Sequence, residues 1–268
     1  MKIFDCVTFF EENRYMDLRF NILNRVIDKF VICEGKYDHR GNEKKINFNK
    51  KNFPIFEDKI IHIICEKFPD NLNPWERQAY QREKLFNGIK EADENDLILF
   101  SDPDEIPNPK KIESFKSNEK YTIFMQKMFY YKINLKVSLD MFDWEGTRGC
   151  LKKNLKSFDY MRHKVLKKNL KYKFWRFDKE KDIKIIEDGG WHFSYLLTPE
   201  EIQKKIKTFA HTEFDKDEFT NIENINKSIE MRVDLFDKSK KFQKIELDDT
   251  FPKYILENKK KLSEWIIY

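Results

Sequence analysis

The stretch DLILFSDPDEIP, residues 96–107, shows most directly how this 268-residue chain folds. Its first six residues are mostly apolar and predict a buried strand over residues 96–101. Three carboxylates follow within four residues, at Asp102, Asp104 and Glu105. Carboxylates this close repel one another unless a cation offsets their charge. The spacing therefore predicts a Mg²⁺ or Mn²⁺ site at the end of a strand, with an Asx-turn and helix cap as the alternative.

Strand and helix patterns alternate through the residues before this stretch. Apolar runs over residues 3–10, 29–34 and 59–65 predict three more strands. Spaced apolar residues predict a helix over residues 16–27, and Asn73-Pro74 predicts the start of another. This order predicts an α/β fold with a mostly parallel, doubly wound sheet flanked by helices. Ligands bind such sheets beyond the carboxyl ends of the strands, where the acidic residues fall.

The second half of the chain predicts more strands and then a helical region. Residues 121–135 predict a long strand or hairpin, and residues 171–176 and 183–186 predict two shorter strands. Thr198 is a helix N-cap, and apolar residues three to four apart continue as far as Val233. We expect a catalytic domain over residues 1–212 and a helical C-terminal extension over residues 213–268 packed on it.

The composition is that of a globular protein with a mild positive charge. Hydrophobic residues make up 40% of the chain, and the net charge is +5. Lysine runs carry much of that excess and are typical of a solvated face. A basic surface can also contact anionic lipid headgroups or a phosphate-bearing substrate, so we expect at most weak peripheral membrane contact. Nothing in the charge pattern predicts a nucleic-acid partner.

The four cysteines indicate the redox environment. None forms a CxxC pair, and Cys6, Cys33 and Cys65 lie in predicted strands, so we expect small core residues with free thiols. Asp5 interrupts the first apolar run, which argues against a signal peptide, and no apolar stretch has the length of a membrane span. We therefore expect a cytoplasmic protein.

The helix that precedes the acidic stretch carries candidate phosphate ligands. Arg77 and Gln81 are four residues apart and share one face, and Arg82 follows them. Arginine binds phosphate through two hydrogen bonds, although a surface helix with ion pairs is the alternative. The other candidate ligand-binding residues are Glu34, Ser101 and Trp191.

His192 lies in the apolar stretch GGWHFS, residues 189–194. A neutral imidazole is a good Mn²⁺ ligand, although a core histidine is an equal alternative. Alternation along an extended segment would place Asp188 and Gly190 on the same face as His192, and the glycines would leave room for a ligand. Asp188 is our first candidate for a catalytic base, and Asp143 and Glu145 are close behind.

Six stretches together resemble glycosyltransferase family 17: IFDCVTFFEE, FVICEG, PWERQAYQR, LILFSDPDEIP, WEGTRG and GGWHFSY. The resemblance runs from Met1 to about Glu213. It implies a GT-A-like (Rossmann-like) fold and a UDP-sugar donor, which is UDP-GlcNAc in the characterised members. It also implies inversion at the anomeric carbon and dependence on Mn²⁺ or Mg²⁺. The acceptor would be a hydroxyl of an oligosaccharide or glycoconjugate, whose identity the resemblance does not imply.

Two features depart from the family. We expect no stem or membrane anchor of the kind that the animal enzymes carry. Pro103 stands where a small or β-branched residue is expected, but both carboxylates of the Asp-X-Asp motif remain. In the expected mechanism, Asp104 with Asp102 and His192 holds the metal against the diphosphate. The rival functions are a nucleotidyltransferase or phosphotransferase, and a carbohydrate-binding protein without turnover.

Overall fold

The computed structural model describes residues 1–116, 118–137 and 143–268, and the chain divides into two compact units. The first unit comprises residues 1–126 and 145–190, and the second comprises residues 127–144 and 191–268. The domain boundary between residues 212 and 213 that the sequence suggests stays a prediction.

The described residues form ten strands and eight α-helices. The strands are β1 (Ile3–Phe9), β2 (Lys29–Gly35), β3 (Ile60–Cys65), β4 (Leu97–Ser101), β5 (Glu105–Pro107), β6 (Tyr121–Tyr130), β7 (Leu135–Val137), β8 (Trp144–Leu151), β9 (Ile183–Ser194) and β10 (Phe242–Lys244). The α-helices are α1 (Asn13–Leu23), α2 (Pro74–Glu83), α3 (Pro109–Glu113), α4 (Phe158–His163), α5 (Pro199–Thr208), α6 (Asp217–Thr220), α7 (Ile222–Glu230) and α8 (Lys253–Glu257).

In the first unit, four parallel strands lie in the order β3-β2-β1-β4, and β8 joins β4 in the antiparallel direction. These four strands are the ones that the sequence predicted, and the α/β class is confirmed. The chain runs outward from β1 to β3 and then crosses to the other side of β1 to form β4. This reversal makes a topological switch point between β1 and β4, which is where ligands bind in open α/β sheets.

Helices cover both faces of the first unit's sheet. Asp5 of β1 faces α1, where the Phe20 ring packs 4.8 Å from Phe30 and 5.0 Å from Phe53 between centroids. Because side chains alternate along a strand, Phe4 and Cys6 face the other side, in a buried cluster that includes residues of α4. Full burial of a phenylalanine side chain stabilises a fold by about 1.5–3 kcal/mol, so both layers hold the sheet.

The predicted helices exist with shorter bounds. Helix α1 spans Asn13–Leu23, where the apolar spacing predicted residues 16–27. Helix α2 begins where predicted: the Asn73 side chain accepts a hydrogen bond from the Glu76 N–H at 3.0 Å, and the Glu76 side chain accepts one from the Asn73 N–H at 2.8 Å. This capping box satisfies two backbone donors that a helix start would otherwise leave unpaired.

The strand predicted over residues 171–176 is wrong. A 3-10 turn spans Lys167–Lys171, and every residue from 170 to 178 is exposed without strand pairing. Lysines and aromatic residues alternate in KYKF with the period of a strand, but neither set packs against a core.

The second unit has its own buried core. Helices α5 and α7 contribute Ile202, Ile206 and Ile225 to this core, and β10, β7 and the part of β6 from residue 127 onward form an antiparallel group. Helices α5 to α8 confirm the predicted helical C-terminal region. Val233 lies beyond the end of α7 and bridges to Lys241 instead, so the helical prediction extends too far at that point. Among the described residues, no helix is both long enough and apolar enough to cross a membrane.

Candidate active site

The acidic loop, residues 102–105, begins where β4 ends at the switch point of the first unit's sheet. The Glu105 N–H donates to the Asp102 carbonyl at 3.0 Å, and the Asp102 N–H donates to Glu105 Oε2 at 3.1 Å. These two bonds close a tight turn around Pro103. Glu105 is 1% exposed and Asp104 is 8% exposed, while the Asp102 side chain keeps 29% of its surface. The chain therefore holds three carboxylates together at the carboxyl end of a central strand.

Arg162 of α4 is the cation that faces these carboxylates. Its Nη2 donates to Asp102 Oδ2 at 2.7 Å and to Glu105 Oε1 at 2.9 Å, and its Nη1 donates to Glu105 Oε2 at 3.1 Å. Burial lowers the pKa of Arg162, but Asp102 and Glu105 outweigh it and raise the net pKa above its usual range. The repulsion among the carboxylates, from which the sequence predicts a metal, is thus offset in part by a guanidinium.

A second arginine, Arg82 of α2, lies beside the same loop. Its Nη1 donates to Asp159 Oδ1 at 3.1 Å, and its Nη2 lies 3.9 Å from Asp102 Oδ1. The side chain is buried over the Phe100 ring, and its Nε has no hydrogen-bond acceptor within the described part of the chain. A buried guanidinium with a spare donor is suited to an anionic ligand.

Arg19 of α1 lies under the loop and fixes its position. It is fully buried and makes two hydrogen bonds to the Asp5 carboxylate, with Nε at 2.6 Å from Oδ2. It also donates to Ser101 Oγ and to the Glu105 carbonyl, each at 2.7 Å. Ser101, a predicted donor-binding residue, is therefore a buried partner of Arg19, and its Oγ also accepts from Thr147 Oγ1 at 3.1 Å. One side chain ties β1, β4 and the acidic loop together.

Glu34 ends β2 and supports the loop over residues 36–48. Its Oε1 accepts from Lys44 Nζ and from the Asn47 N–H, both at 2.7 Å, and its Oε2 accepts from the Phe48 N–H at 3.0 Å. Burial raises the pKa of Glu34, but the His62 ring 3.4 Å from Oε2, and after it Lys44 and the two backbone N–H groups, leave the net pKa below its usual range. Glu34 was predicted as a donor-binding residue, and here its oxygens hold the protein's own backbone.

Gln81 and Arg77 support the same loop from helix α2. Gln81 Nε2 donates to the Cys33 carbonyl at 2.8 Å, and its Oε1 lies 2.8 Å from His39 Nε2. Arg77 Nη1 donates to the His39 carbonyl at 3.1 Å, and its guanidinium packs against Gly41. These predicted phosphate ligands thus shape a loop beside the carboxyl ends of β1 and β2.

Glu145 lies next to the arginine group of the acidic loop. Its Oε2 accepts from the Lys167 N–H at 3.0 Å and lies 3.5 Å from Arg148 Nη2. Burial and, after it, the nearby charge of Arg162 lower the pKa of Arg148 to about 10, against the opposing effect of Glu105 and Glu145. The charge of Arg148 therefore interacts both with Glu145 and with the carboxylates of the acidic loop.

Asp188 lies at a bend in β9. Its φ is +50°, its side chain is exposed, and its carbonyl accepts from Asn108 Nδ2 at 3.2 Å. A Cβ on Gly190 would come within 2.2 Å of the Ile106 carbonyl, and one on Gly189 within 2.8 Å of Phe124. The glycines thus let neighbouring protein backbone pack closely against β9. The sequence had suggested that they leave room for a ligand. The predicted face alternation stays a prediction; Asp188 is left-handed within β9, and residues 189–194 are all buried.

Asp143, Trp191 and His192 belong to the second unit. Trp191 is buried and its Nε1 donates to the Thr250 carbonyl at 3.2 Å. The His192 ring is buried against Trp144, with 5.2 Å between ring centroids, and Asp143 is half-buried just before β8.

Arg162, Arg148 and Arg19 are residues that sequence reasoning missed. Arg162 and Arg19 meet the site through contacts between distant parts of the chain and no short motif marks them, whereas Arg148 lies within the stretch WEGTRG. A weaker signal exists, because only 10 of the 52 Lys and Arg residues are arginines. In a lysine-rich chain, arginine marks positions that need a planar fork of donors.

The carboxylates are of the type that Mg²⁺ and Mn²⁺ bind. Within the described ranges, no three His, Cys, Asp or Glu side chains form a group that could hold a metal ion. At nucleotide sites such ions are usually held by one or two carboxylates together with substrate phosphates. Asp102 and Asp104 fit that arrangement in donor type and number.

Comparison with known proteins gives the family. The model of glycosyltransferase family 17 matches residues 1–247. A human β-1,4-mannosyl-glycoprotein 4-β-N-acetylglucosaminyltransferase is 21% identical over 242 residues, which cover 80% of this chain and 44% of that enzyme. The chain thus spans less than half the length of this relative.

Solved structures show a weaker likeness. A protein assigned as a glucose-1-phosphate thymidylyltransferase from Bacillus anthracis has a TM-score of 0.38 at 10% identity, covering 71% of this chain and 88% of its own. The glycosyltransferase GlyE of Streptococcus pneumoniae has a TM-score of 0.35 at 10% identity, covering 70% of this chain and 46% of its own.

An α/β fold with carboxylates and arginines gathered at its switch point is suited to an enzyme that acts on a phosphate-bearing substrate. The chain belongs to glycosyltransferase family 17.

Proposed function

We propose that the protein transfers N-acetylglucosamine from UDP-GlcNAc to a hydroxyl of a glycan acceptor, with inversion at the anomeric carbon. The observation that carries the proposal is the acidic loop at the β1/β4 switch point, with Arg82 and Arg162 beside it. The names of the matched relatives support the choice of donor sugar. Their greater length leaves the acceptor open.

The buried arginines are suited to a diphosphate. Arg82 and Arg162 both approach Asp102, and Arg148 lies near Arg162. When a sugar leaves UDP, negative charge grows on the β-phosphate oxygens. Guanidinium groups that are already fixed by carboxylates stabilise that charge without having to reorganise. In this proposal Arg82 binds the diphosphate through its spare Nε donor, and Arg162 orients the acidic loop.

A divalent cation, Mn²⁺ or Mg²⁺, would be held by Asp102 and Asp104. When bound, it would neutralise the phosphate oxygens of the leaving UDP. Asp102 also accepts from Arg162, so its carboxylate would serve both cations.

Inversion requires one carboxylate that takes the proton from the acceptor hydroxyl as that oxygen attacks the anomeric carbon. We propose Glu145 for this role ahead of Asp188 and Asp143. Its half-buried carboxylate is fixed by the Lys167 N–H and linked through Arg148 to the arginines of the acidic loop. Asp188 is exposed and has a left-handed backbone conformation, so its carboxylate is less shielded from water during proton transfer.

The first test is release of UDP from UDP-GlcNAc with Mn²⁺ present. Asp104→Ala should reduce turnover at least about a hundredfold and weaken donor binding, because it removes a proposed metal ligand. The exposed carboxylate variant Asp70→Ala is the matched control and should keep wild-type turnover. Normal turnover by Asp104→Ala would disprove the site.

The same assay separates the rival functions. A nucleotidyltransferase would release no UDP from UDP-GlcNAc but would form UTP and sugar 1-phosphate when pyrophosphate is added, and a carbohydrate-binding protein would form neither UDP nor UTP. A true base variant, Glu145→Gln, should keep donor binding while turnover falls roughly a hundredfold. If Asp188→Asn or Asp143→Asn shows that behaviour instead, Glu145 is not the base.

A further inference from the structure

The segment over residues 167–181, which we call the aromatic-basic loop, exposes an unusual amount of apolar surface. Phe174 is 80% exposed and Phe177 is 90% exposed, and Trp175 and Tyr172 are 52% and 40% exposed. Isolated exposed hydrophobic residues are ordinary, but contiguous ones mark interaction sites. Five of the large hydrophobic residues found exposed in the described ranges fall within residues 170–177.

The loop is also the main source of the protein's positive charge. It contains seven Lys or Arg and two Asp or Glu, a net charge of +5. That equals the net charge of the whole chain, so the remaining residues balance to zero. A partner of negative charge is therefore favoured at this surface, through attraction that acts over about 8–10 Å at physiological salt.

Backbone hydrogen bonds give the loop a defined shape. The Arg176 N–H donates to the Lys173 carbonyl at 3.0 Å, and the Tyr172 N–H donates to the Asn169 carbonyl at 3.1 Å. Lys181 Nζ donates to the Lys173 carbonyl, which closes the base of the loop. The cations lie beside the rings, with Lys173 Nζ 4.8 Å from the Trp175 ring and Arg176 5.4 Å from the Tyr172 ring.

Rings interleaved with cations match the interface of a bilayer with anionic lipids. Phenylalanine side chains carry no polar group, so the transfer free energy of Phe174 and Phe177 is most favourable where the rings leave water completely. Tryptophan and tyrosine favour the headgroup level, and lysine and arginine contact anionic headgroups. A neutral glycan would stack on the rings but would gain nothing from the loop's net charge of +5.

We propose that the aromatic-basic loop docks the protein on a membrane surface that carries anionic lipids. Phe174, Trp175 and Phe177 enter the interface, and the surrounding lysines and Arg176 face the headgroups. Such a contact would bring the enzyme to acceptors held at a membrane. The loop's binding does not depend on the transferase proposal, since vesicle binding is measured without any sugar substrate.

The test is flotation of the full chain with vesicles. Phosphatidylcholine vesicles with about 30 mol% phosphatidylglycerol should bind the protein at about 0.1 M salt, and pure phosphatidylcholine vesicles should bind at least roughly tenfold less. Phe174→Ser/Phe177→Ser should lower binding roughly tenfold or more at unchanged Tm. The matched control Ile55→Ser/Met231→Ser alters two exposed hydrophobic residues elsewhere, 81% and 61% exposed, and should bind as wild type.

Two further readouts decide between partners. Brominated lipids should quench the fluorescence of the wild type more than that of Trp175→Phe, because Trp175 enters the interface. Equal binding to neutral and anionic vesicles, or unchanged binding by Phe174→Ser/Phe177→Ser, would overturn the proposal. So would a single-stranded oligonucleotide that binds the loop and displaces the protein from vesicles at equal concentration of negative charge.

Discussion

Arg162 and Arg19 determine the shape of the acidic loop from opposite sides. Arg162 binds the carboxylates of Asp102 and Glu105, whereas Arg19 holds the Glu105 carbonyl and the Ser101 hydroxyl from below. Since both side chains are planar forks, each fixes several acceptors at once. Asp102 and Glu105 are therefore held in place by side chains from two other elements.

Arg19→Met should destabilise the protein by about 3–5 kcal/mol. The change leaves Asp5 as an uncompensated charge that is 1% exposed, which is the costly way to break a buried pair. The free energy of unfolding, measured by urea titration, checks the value. Arg25→Met, at an exposed arginine just beyond α1, is the control and should change stability by less than about 0.5 kcal/mol.

A loss below about 1 kcal/mol for Arg19→Met would show that Asp5 finds other partners and that the pair does not fix the loop. The double variant Arg19→Met/Asp5→Leu removes both charges. It should recover part of the lost stability, because the desolvated carboxylate is gone.

At the scale of elements, the carboxylate of Glu34 holds the loop over residues 36–48 in place. Residues 36–48 connect β2 to the rest of the first unit, and Glu34 accepts hydrogen bonds from Lys44, Asn47 and Phe48 within them. Loops without such ties open easily, so the order of this loop depends on the ionised form of Glu34.

Glu34→Gln should lower the Tm by roughly 4–8 °C at pH 7, because charge-assisted hydrogen bonds are lost. The folded-state pKa of Glu34 lies below its ordinary value. The ionised carboxylate therefore stabilises the fold above that ordinary value, and the stabilisation disappears as the pH falls through the folded-state pKa. The Tm difference between wild type and variant, measured from pH 7 down to pH 3, should shrink.

Glu66→Gln provides the comparison, since Glu66 is exposed and paired with Lys36 at the surface. It should barely change the Tm at any pH. A Tm difference for Glu34→Gln that stays constant or grows toward pH 3 would mean that the carboxylate does not hold the loop in its ionised form.

Element prediction from the sequence succeeded where burial and local pattern agree. The strands β1 to β4 are continuous apolar runs, and the N-caps at Asn73 and Thr198 depend on neighbours three residues away. It failed over residues 171–176, because alternation alone does not tell whether either face is covered. It also overextended the helix toward Val233, whose bridge to Lys241 is a tertiary contact.

At the scale of the whole molecule, the carboxylates of the site could be predicted but their partners could not. Asp102 and Asp104 follow a strand directly, so sequence order places them at the sheet edge. Arg162 meets Asp102 across 60 residues, and Arg19 meets Glu105 across 86. No local pattern encodes such pairs. For the same reason the sequence did not indicate that residues 127–144 and 191–268 make up one compact unit.

The last prediction uses the four cysteines as reporters of the first unit's core. All four are buried and free, and all belong to one hydrophobic cluster. Burial raises the pKa of Cys150 to about 12 and that of Cys6 well above its usual range. Because the thiolate is the reactive form, the native protein should react with a thiol reagent only as fast as the core opens.

Labelling at neutral pH without reductant should therefore show almost no fast reaction in the folded protein, and four thiols in concentrated urea. The four should react with one common rate constant, because they share one core and are exposed by the same opening. Mass spectrometry of partly labelled samples checks this: molecules with zero or four labels should dominate. A single thiol that reacts rapidly in the native state would contradict the core, and fewer than four thiols in urea would reveal a disulfide.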